Sequence, residues 1–240
     1  MFFKHPAFED PENDSMKLWR YIELEKFISL METSELYFSR ADYFRIDDPF
    51  EGTFPKVEYN YMVKHQGKEI VRNLFDITSK DSFINCWHLN DYENIAMWKL
   101  YSINNKGIAL QTDIQNFKDS FENSDRTIFA GKVQYIDYEK DYFYGQSGYD
   151  YKFANSFTAY IHKRIIYDYE KEYRAICTDP KDGKNKNGIK IKVTLDKLIR
   201  TIYLAPNTLD DNYNLVTNIV NNISKDINVI RSSFNSIPYL

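Results

Sequence analysis

The stretch Tyr169-Glu170-Lys171-Glu172-Tyr173-Arg174-Ala175-Ile176 decides how this chain is read. Its second half reads as a β-strand, and its two glutamates stand at i and i+2 near the strand start. Side chains at that spacing leave the same face of a strand, roughly 7 Å apart. If the strand begins by Glu170, then Glu170, Glu172 and Arg174 share one face. A core strand carries three charges on one face only where that face lines a polar pocket, because an unpaired buried charge is strongly disfavoured. Paired carboxylates in a pocket are a setting for chemistry on a sugar or a phosphate.

The surrounding composition sets limits. At 240 residues, 43% of them hydrophobic, the chain suffices for one large domain or two small ones with a real core. Twenty Tyr and 17 Phe suggest a core that opens onto ligand-facing surfaces, although a codon bias that also enriches Asn, Lys and Ile accounts for the same numbers. The net charge of −4 gives no global basic footprint for nucleic acid, which leaves only a local patch. Cys86 and Cys177 lie far apart in apolar runs without metal-ligand spacing, so they read as buried free thiols in a reducing compartment. The N-terminus lacks a signal-peptide core, and no apolar run is long enough to cross a membrane. A soluble, cytoplasmic protein without a membrane partner is expected.

Along the chain, residues 1–16 read as a loose lead-in and 17–240 as a single domain. A strand at 17–21 is followed by an amphipathic helix at 23–33, with Leu24, Phe27, Ile28 and Met31 at i, i+3, i+4 and i+7. A second strand covers Leu36 to Ser39, a Pro/Gly turn 45–52 and a helical stretch 56–80. Strand 83–87 precedes a helix at 91–102, for which Asn90 and Glu93 suggest a capping box. A strand at 107–112, a short helix near Phe117 and a strand at 131–138 come next. The apolar residues Phe153, Phe157, Tyr160, Ile161 and Ile165 suggest a helix over 150–168. Strands 171–177 and 188–194 then read as a hairpin around Thr178 to Gly183. A helical turn and strand over 195–204, a helix at 210–224 and a strand at 227–232 close the chain. The interleaving predicts an α+β domain with a mixed, mostly antiparallel sheet and flanking helices.

The motifs Leu18-Trp19-Arg20-Tyr21, Leu36-Tyr37-Phe38-Ser39-Arg40, Asp48-Pro49-Phe50-Glu51-Gly52, Cys86-Trp87, Met97-Trp98-Lys99-Leu100-Tyr101 and Tyr169 to Ala175 together resemble a widespread bacterial family of domains of unknown function. A more remote resemblance concerns layout. A strand ending in Arg20, a helix, a strand ending in Phe38-Ser39 and a late strand opening with Glu-x-Glu are similar to the order in ADP-ribosyltransferases. That resemblance implies a split core, NAD as the substrate cofactor, Arg20 as its holder and Ser39 beside the nicotinamide. It implies Glu172 as the catalytic carboxylate with Glu170 as its accessory. It extends to transfer onto a macromolecule, nucleic acid or protein, by a toxin or phage-defence effector. Ser39 is followed by Arg40 rather than by the Thr-Ser continuation common in the arginine-strand branch.

The chemistry suits those residue types. Nicotinamide leaves NAD as a neutral group, and positive charge develops on the ribose, as in glycoside cleavage. A fixed carboxylate such as Glu172 stabilises that charge. Arg20 forks onto oxygens in a geometry lysine lacks. Glu170 can orient the acceptor or take its proton. Tyr21, Tyr37 or Trp98 can stack on a base, although Trp98 also reads as core.

Ordinary structural readings stand beside these. Arg20 and Glu172 can form an inter-strand ion pair. Asp47, Asp48 and Glu51 can be a capped turn or, alternatively, a divalent-metal site joined by Glu170 or Glu172 for a nuclease or phosphoesterase, though no metal is expected. His88 reads as a strand end and His162 as a helix surface, with catalysis as the alternative for each. Lys163, Arg164 and Arg174 can rim a nucleic-acid acceptor. A non-catalytic nucleotide-sensing module is a further class.

Overall fold

A computed structural model describes residues 1–102, 106–143, 157–179 and 187–235. It is α+β, and its main sheet holds nine strands. The path of that sheet runs β11 (Asn228–Arg231), β10 (Thr201–Leu204), β4 (Gly107–Asp113), β1 (Lys17–Glu23), β3 (Ser82–Leu89), β2 (Glu35–Arg40) and β9 (Gly188–Lys192). Two further strands, β5 (Phe129–Lys132) and β8 (Glu172–Thr178), join through β3. A separate parallel pair is formed by β6 (Gln134–Ile136) and β7 (His162–Arg164). Among the described residues of the main sheet, only β10 and β11 run parallel.

The central feature is a fork. One edge of β3 pairs along its length with β8, from Ser82 opposite Thr178 to His88 opposite Glu172. The other edge is shared: β2 pairs with Phe83 and Ile84, and β1 pairs with His88 and Leu89. Between these contacts, Asn85, Cys86 and Trp87 face no neighbouring strand on that edge. Buried backbone groups need partners, and side chains fill the gap. Arg20 donates to the Cys86 carbonyl at 2.6 Å, and Asn85 Nδ2 donates to the Tyr37 carbonyl at 2.8 Å. The sheet thus splits between β1 and β2.

Helices cover one face. Phe27, Leu30 and Met31 of α1 (Leu24–Thr33) are buried there, as are Ile114 and Phe117 of α5 (Ile114–Asp119), Leu195 and Leu198 of α6 (Leu195–Leu198), and Val216 and Val220 of α7 (Asp210–Asn221). Full burial of each such side chain contributes about 1.5–3 kcal/mol. α1 ends where Ser34 turns into the left-handed region and donates its N–H to the Leu30 carbonyl. The opposite face is split into two smaller clusters. One gathers Phe8, Ile84, Phe157, Tyr160 and Ile176, and the other gathers Trp19, Tyr21, Met97, Trp98 and Ala109. The stretch 56–80 forms two helices, α2 (Lys56–Gln66) and α3 (Lys68–Asp81).

Several sequence expectations are corrected. Residues 1–16 are not loose: Phe2 bridges Ile128, Glu9 bridges Lys132, and Ala7 and Phe8 are buried. α4 spans Ile95–Tyr101, and its cap is Asn94, whose side chain accepts the Ala96 N–H. The proposed capping box fails because Asn90 donates to the Tyr92 carbonyl, and Glu93 binds Trp98, Ser232 and Ser233 instead. Among the described residues of 157–168 there is no long helix. A 3₁₀ turn at Thr158–Tyr160, β7 and a second 3₁₀ turn at Ile165–Glu170 take its place. Phe153 lies outside the described residues. The apolar spacing there reflects burial of Phe157, Tyr160 and Ile161 in a tertiary cluster rather than a helical stripe. β8 and β9 are not a hairpin, since β8 pairs with β3 and β5 while β9 pairs with β2. Residues 180–183 of the expected loop lie outside the described residues.

Candidate active site

A cavity of about 710 Å³ occupies the fork, within the usual range of roughly 300–1,000 Å³ for ligand pockets. Its walls include all six residues singled out from sequence: Arg20 and Tyr21 from β1, Tyr37 and Ser39 from β2, Glu172 from β8, and Glu170 just before it. Cys86 and His88 of β3, Tyr101 of α4, and Lys163 of β7 complete its inner end.

Strand alternation explains Arg20. Leu18, Arg20 and Ile22 share one face of β1, and Leu18 and Ile22 are buried in the main core. Arginine is out of pattern there, and the fork gives it a polar outlet. Its guanidinium lies 6.0 Å from the Trp87 ring, and among the described residues no carboxylate pairs with it. Burial lowers its pKa. The expected Arg20–Glu172 ion pair is absent, so Arg20 has donors available to an anion in the cavity. The Ser39 hydroxyl likewise makes no hydrogen bond with a described residue.

The acidic end is a connected network. Arg174 is fully buried, and its five N–H groups are all used. Nε donates to Glu172 at 2.6 Å, Nη2 donates to Glu172 and Glu51 at 3.1 Å each, and Nη1 donates to the Tyr160 carbonyl at 2.7 Å and to Glu51. Lys163 donates to Glu172 at 2.9 Å and also to Glu170. Arg164 meets Asp48 at 2.6 Å. The expected basic rim of Lys163, Arg164 and Arg174 is therefore spent on internal carboxylates. Geometry corrects the strand reading as well: Glu170 ends a 3₁₀ turn, Lys171 follows at φ 40, and β8 starts at Glu172. The two glutamates still converge because Lys163 bridges them.

Charge bookkeeping explains their different states. Arg174 and Lys163 balance Glu51 and Glu172, so a third carboxylate has no counter-charge left. Burial would raise Glu172, but Arg174 and Lys163 overcome it and hold the carboxyl well below its ordinary range. Burial, followed by the hydrogen bond and charge of Glu172, pushes Glu170 up to about 7. Two neighbouring carboxylates separated in this way divide into a fixed charge and a proton carrier.

His88 was missed as part of the carboxylate pair's support. It is 2% exposed, and its Nδ1 lies 2.6 Å from the Glu170 carbonyl, so Nδ1 carries the proton. Nε2 then accepts from Asn94 Nδ2 at 3.4 Å. Burial lowers the His88 pKa and keeps the ring neutral. A polar residue ending the apolar run Phe83 to Trp87 was the available signal. His162 is not a helix-surface residue: it is 1% exposed in β7, and burial lowers its pKa to about 4. Burial raises Tyr101 to about 12 and raises the Cys86 thiol strongly, so neither ionises near neutrality. Cys177 is also a free thiol, buried in β8.

Of the three proposed stacking residues, Trp98 is 2% exposed in the core and bonded to Glu93. Tyr21 is buried, and its hydroxyl accepts the Asn94 N–H at 2.8 Å. Tyr37 is 45% exposed. The turn holding Asp47, Asp48 and Glu51 has the capped form: the Asp48 side chain accepts the Phe50 N–H. Asp48 and Glu51 carry arginine partners, and among the described residues no group of three His, Cys, Asp or Glu side chains is arranged to hold a metal. No helix among the described residues is long and apolar enough to cross a membrane.

Residues 97–175 match the model of a family described as "Protein of unknown function (DUF2971)". The matched stretch runs from α4 to the middle of β8 and includes Lys163, Glu170, Glu172 and Arg174. No curated protein matches the chain.

Proposed function

We propose that the fork cavity cleaves the nicotinamide–ribose bond of NAD and passes ADP-ribose to a macromolecule or to water. The observation that carries this reading is the meeting of an unpaired arginine, a free serine hydroxyl and two carboxylates of unlike state in one cavity. Arg20 takes a phosphate of the dinucleotide in a charge-assisted fork. The C1′–N bond breaks with its electron pair leaving on neutral nicotinamide, and Glu172 holds fixed negative charge beside the ribosyl cation. An acceptor oxygen or nitrogen then bonds to C1′, and its proton passes to ionised Glu170.

The test is nicotinamide release from NAD, with thermal unfolding run in parallel. Glu170→Gln should lower kcat by about 100-fold or more, the usual scale of general-base loss, while the protein remains folded. Arg20→Ala should mainly raise KM. Undiminished release in both variants ends the proposal.

A second reading, a nucleotide-sensing module without turnover, is favoured by one observation. Both Glu172 oxygens are occupied by Arg174 and Lys163, which blunts the charge offered to a ligand. It predicts thermal stabilisation by NAD with no nicotinamide formed.

A further inference from the structure

The outer end of the cavity reaches the sheet edge formed by β9. Tyr37 and Lys190 are register partners there, as are Ser39 and Gly188, and Glu35 and Lys192. A Cβ on Gly188 would lie 2.2 Å from the Tyr37 ring and hydroxyl, so the missing side chain is what lets the ring lie against the β9 backbone. The ring is fixed on one side, yet Tyr37 keeps 45% exposure. Lys190 and Lys192 are both exposed beside it, two residues apart on one strand face. Neither forms an ion pair with a described residue: Lys190 reaches the neutral Ser29 hydroxyl at 3.3 Å. Next along this edge, Arg40 lies 5.3 Å from the Tyr43 ring, whose hydroxyl donates to Asn187. Two of the three carboxylates nearby are neutralised by other cations. Asp42 is bound by Arg40 and Glu23 by Lys26, while Glu35 is the register partner of Lys192 and forms no ion pair with it.

A rigid exposed ring flanked by unpaired lysines has the chemistry of a single-strand platform, with a base stacked and phosphates held alongside. We propose that this edge docks a single nucleic-acid strand as the acceptor, with one base on Tyr37 and adjacent phosphates on Lys190 and Lys192. The acceptor role rests on the transferase reading above, with a nucleophile of the strand taking the place of water at C1′ and its proton going to Glu170. The docking does not rest on it.

The docking test therefore omits NAD, and a second assay with labelled NAD reads NAD cleavage and transfer to the strand or to protein. Fluorescence anisotropy with labelled single-stranded DNA and RNA of about 12 nucleotides, within the usual site sizes, measures affinity across a salt series. Tyr37→Leu should weaken binding at least about fivefold, the low end for one stacked base. Lys190→Gln with Lys192→Gln should reduce the slope of log affinity on log salt by about 1.4, or about 0.7 for each lost phosphate contact. Gly188→Ala should weaken binding as Tyr37→Leu does, with circular dichroism confirming an intact sheet. No binding to either strand, tighter binding to duplex, or affinity indifferent to all three changes overturns the docking. Strand binding by a protein that modifies only protein substrates overturns the acceptor role. Strand binding without any NAD cleavage leaves the docking standing and removes the transferase reading.

Discussion

At the residue scale, the site turns on how Arg174 is surrounded. A buried guanidinium with every donor satisfied stabilises the fold less than its bond count suggests, because desolvation offsets much of the attraction. Removing it is another matter, since Glu51 would be left buried and unpaired and Glu172 would keep Lys163 alone. Arg174→Met should destabilise the protein by about 3–5 kcal/mol in urea unfolding. A loss below about 1 kcal/mol would show that the network is not formed. Glu170 makes a prediction about activity. In the proposed reaction it acts as a base only when ionised, so NAD turnover should rise with pH through about 7 and level off above it. Glu170→Gln should flatten that rise. The sequence singled out this pair by its i, i+2 spacing, but assigned the larger role to Glu172. It could not show that Glu172 is saturated by Arg174 and Lys163, because Lys163 comes from a segment that read as helix.

At the element scale, two local devices stand next to residues that line the cavity. Asn94 caps α4, which carries Tyr101 to the site, and its amide also reaches His88. Asn94→Ala should cost about 1 kcal/mol, the usual value for a lost cap. Gly52 has φ +69, and a Cβ there would stand 2.3 Å from the Tyr160 ring. Gly52→Ala should therefore cost about 2–4 kcal/mol from strain and overpacking together. Thermal unfolding of both variants measures the difference, and equal losses would contradict the two mechanisms. Strands and helices with clean periodicity, such as α1 and β4, were legible in the sequence. The 157–170 region was not, because its apolar residues pack into a tertiary cluster, and short 3₁₀ turns have no periodic signature.

At the scale of the whole molecule, buried titrating groups set the response to acid. Glu170 has a raised pKa, so the folded state binds its proton more readily than the unfolded chain does, and stability from this group grows as pH falls from about 7 towards its ordinary range. His162 is depressed to about 4, so the unfolded chain binds that proton more readily, and stability is lost as pH falls from 6.5 towards 4. These contributions oppose each other over nearly the same interval, and two other buried groups divide the same way, Glu58 being raised by burial and His88 lowered by it. Glu172, depressed below its ordinary 4.5, contributes stability that is lost only below that value. Urea midpoints should therefore change little between pH 7 and 5 and fall steeply below about 4.5. In Glu170→Gln the decline should begin near pH 6.5, because the opposing group is gone. A wild-type decline that already begins at pH 7 would contradict the balance.

The sequence by itself determined the α+β class, most strand positions, and the short set of polar residues out of place on apolar faces. Those readings follow from local periodicity and from the cost of burying charge, and both are properties of the chain. Only the tertiary structure decided that β1 and β2 share one edge of β3, that the resulting fork is a cavity, and that Arg20 is unpaired while Arg174 is saturated. Strand partners and counter-ions are chosen across long sequence separations, where hydrogen-bond satisfaction and charge balance act on the assembled sheet rather than on any one segment.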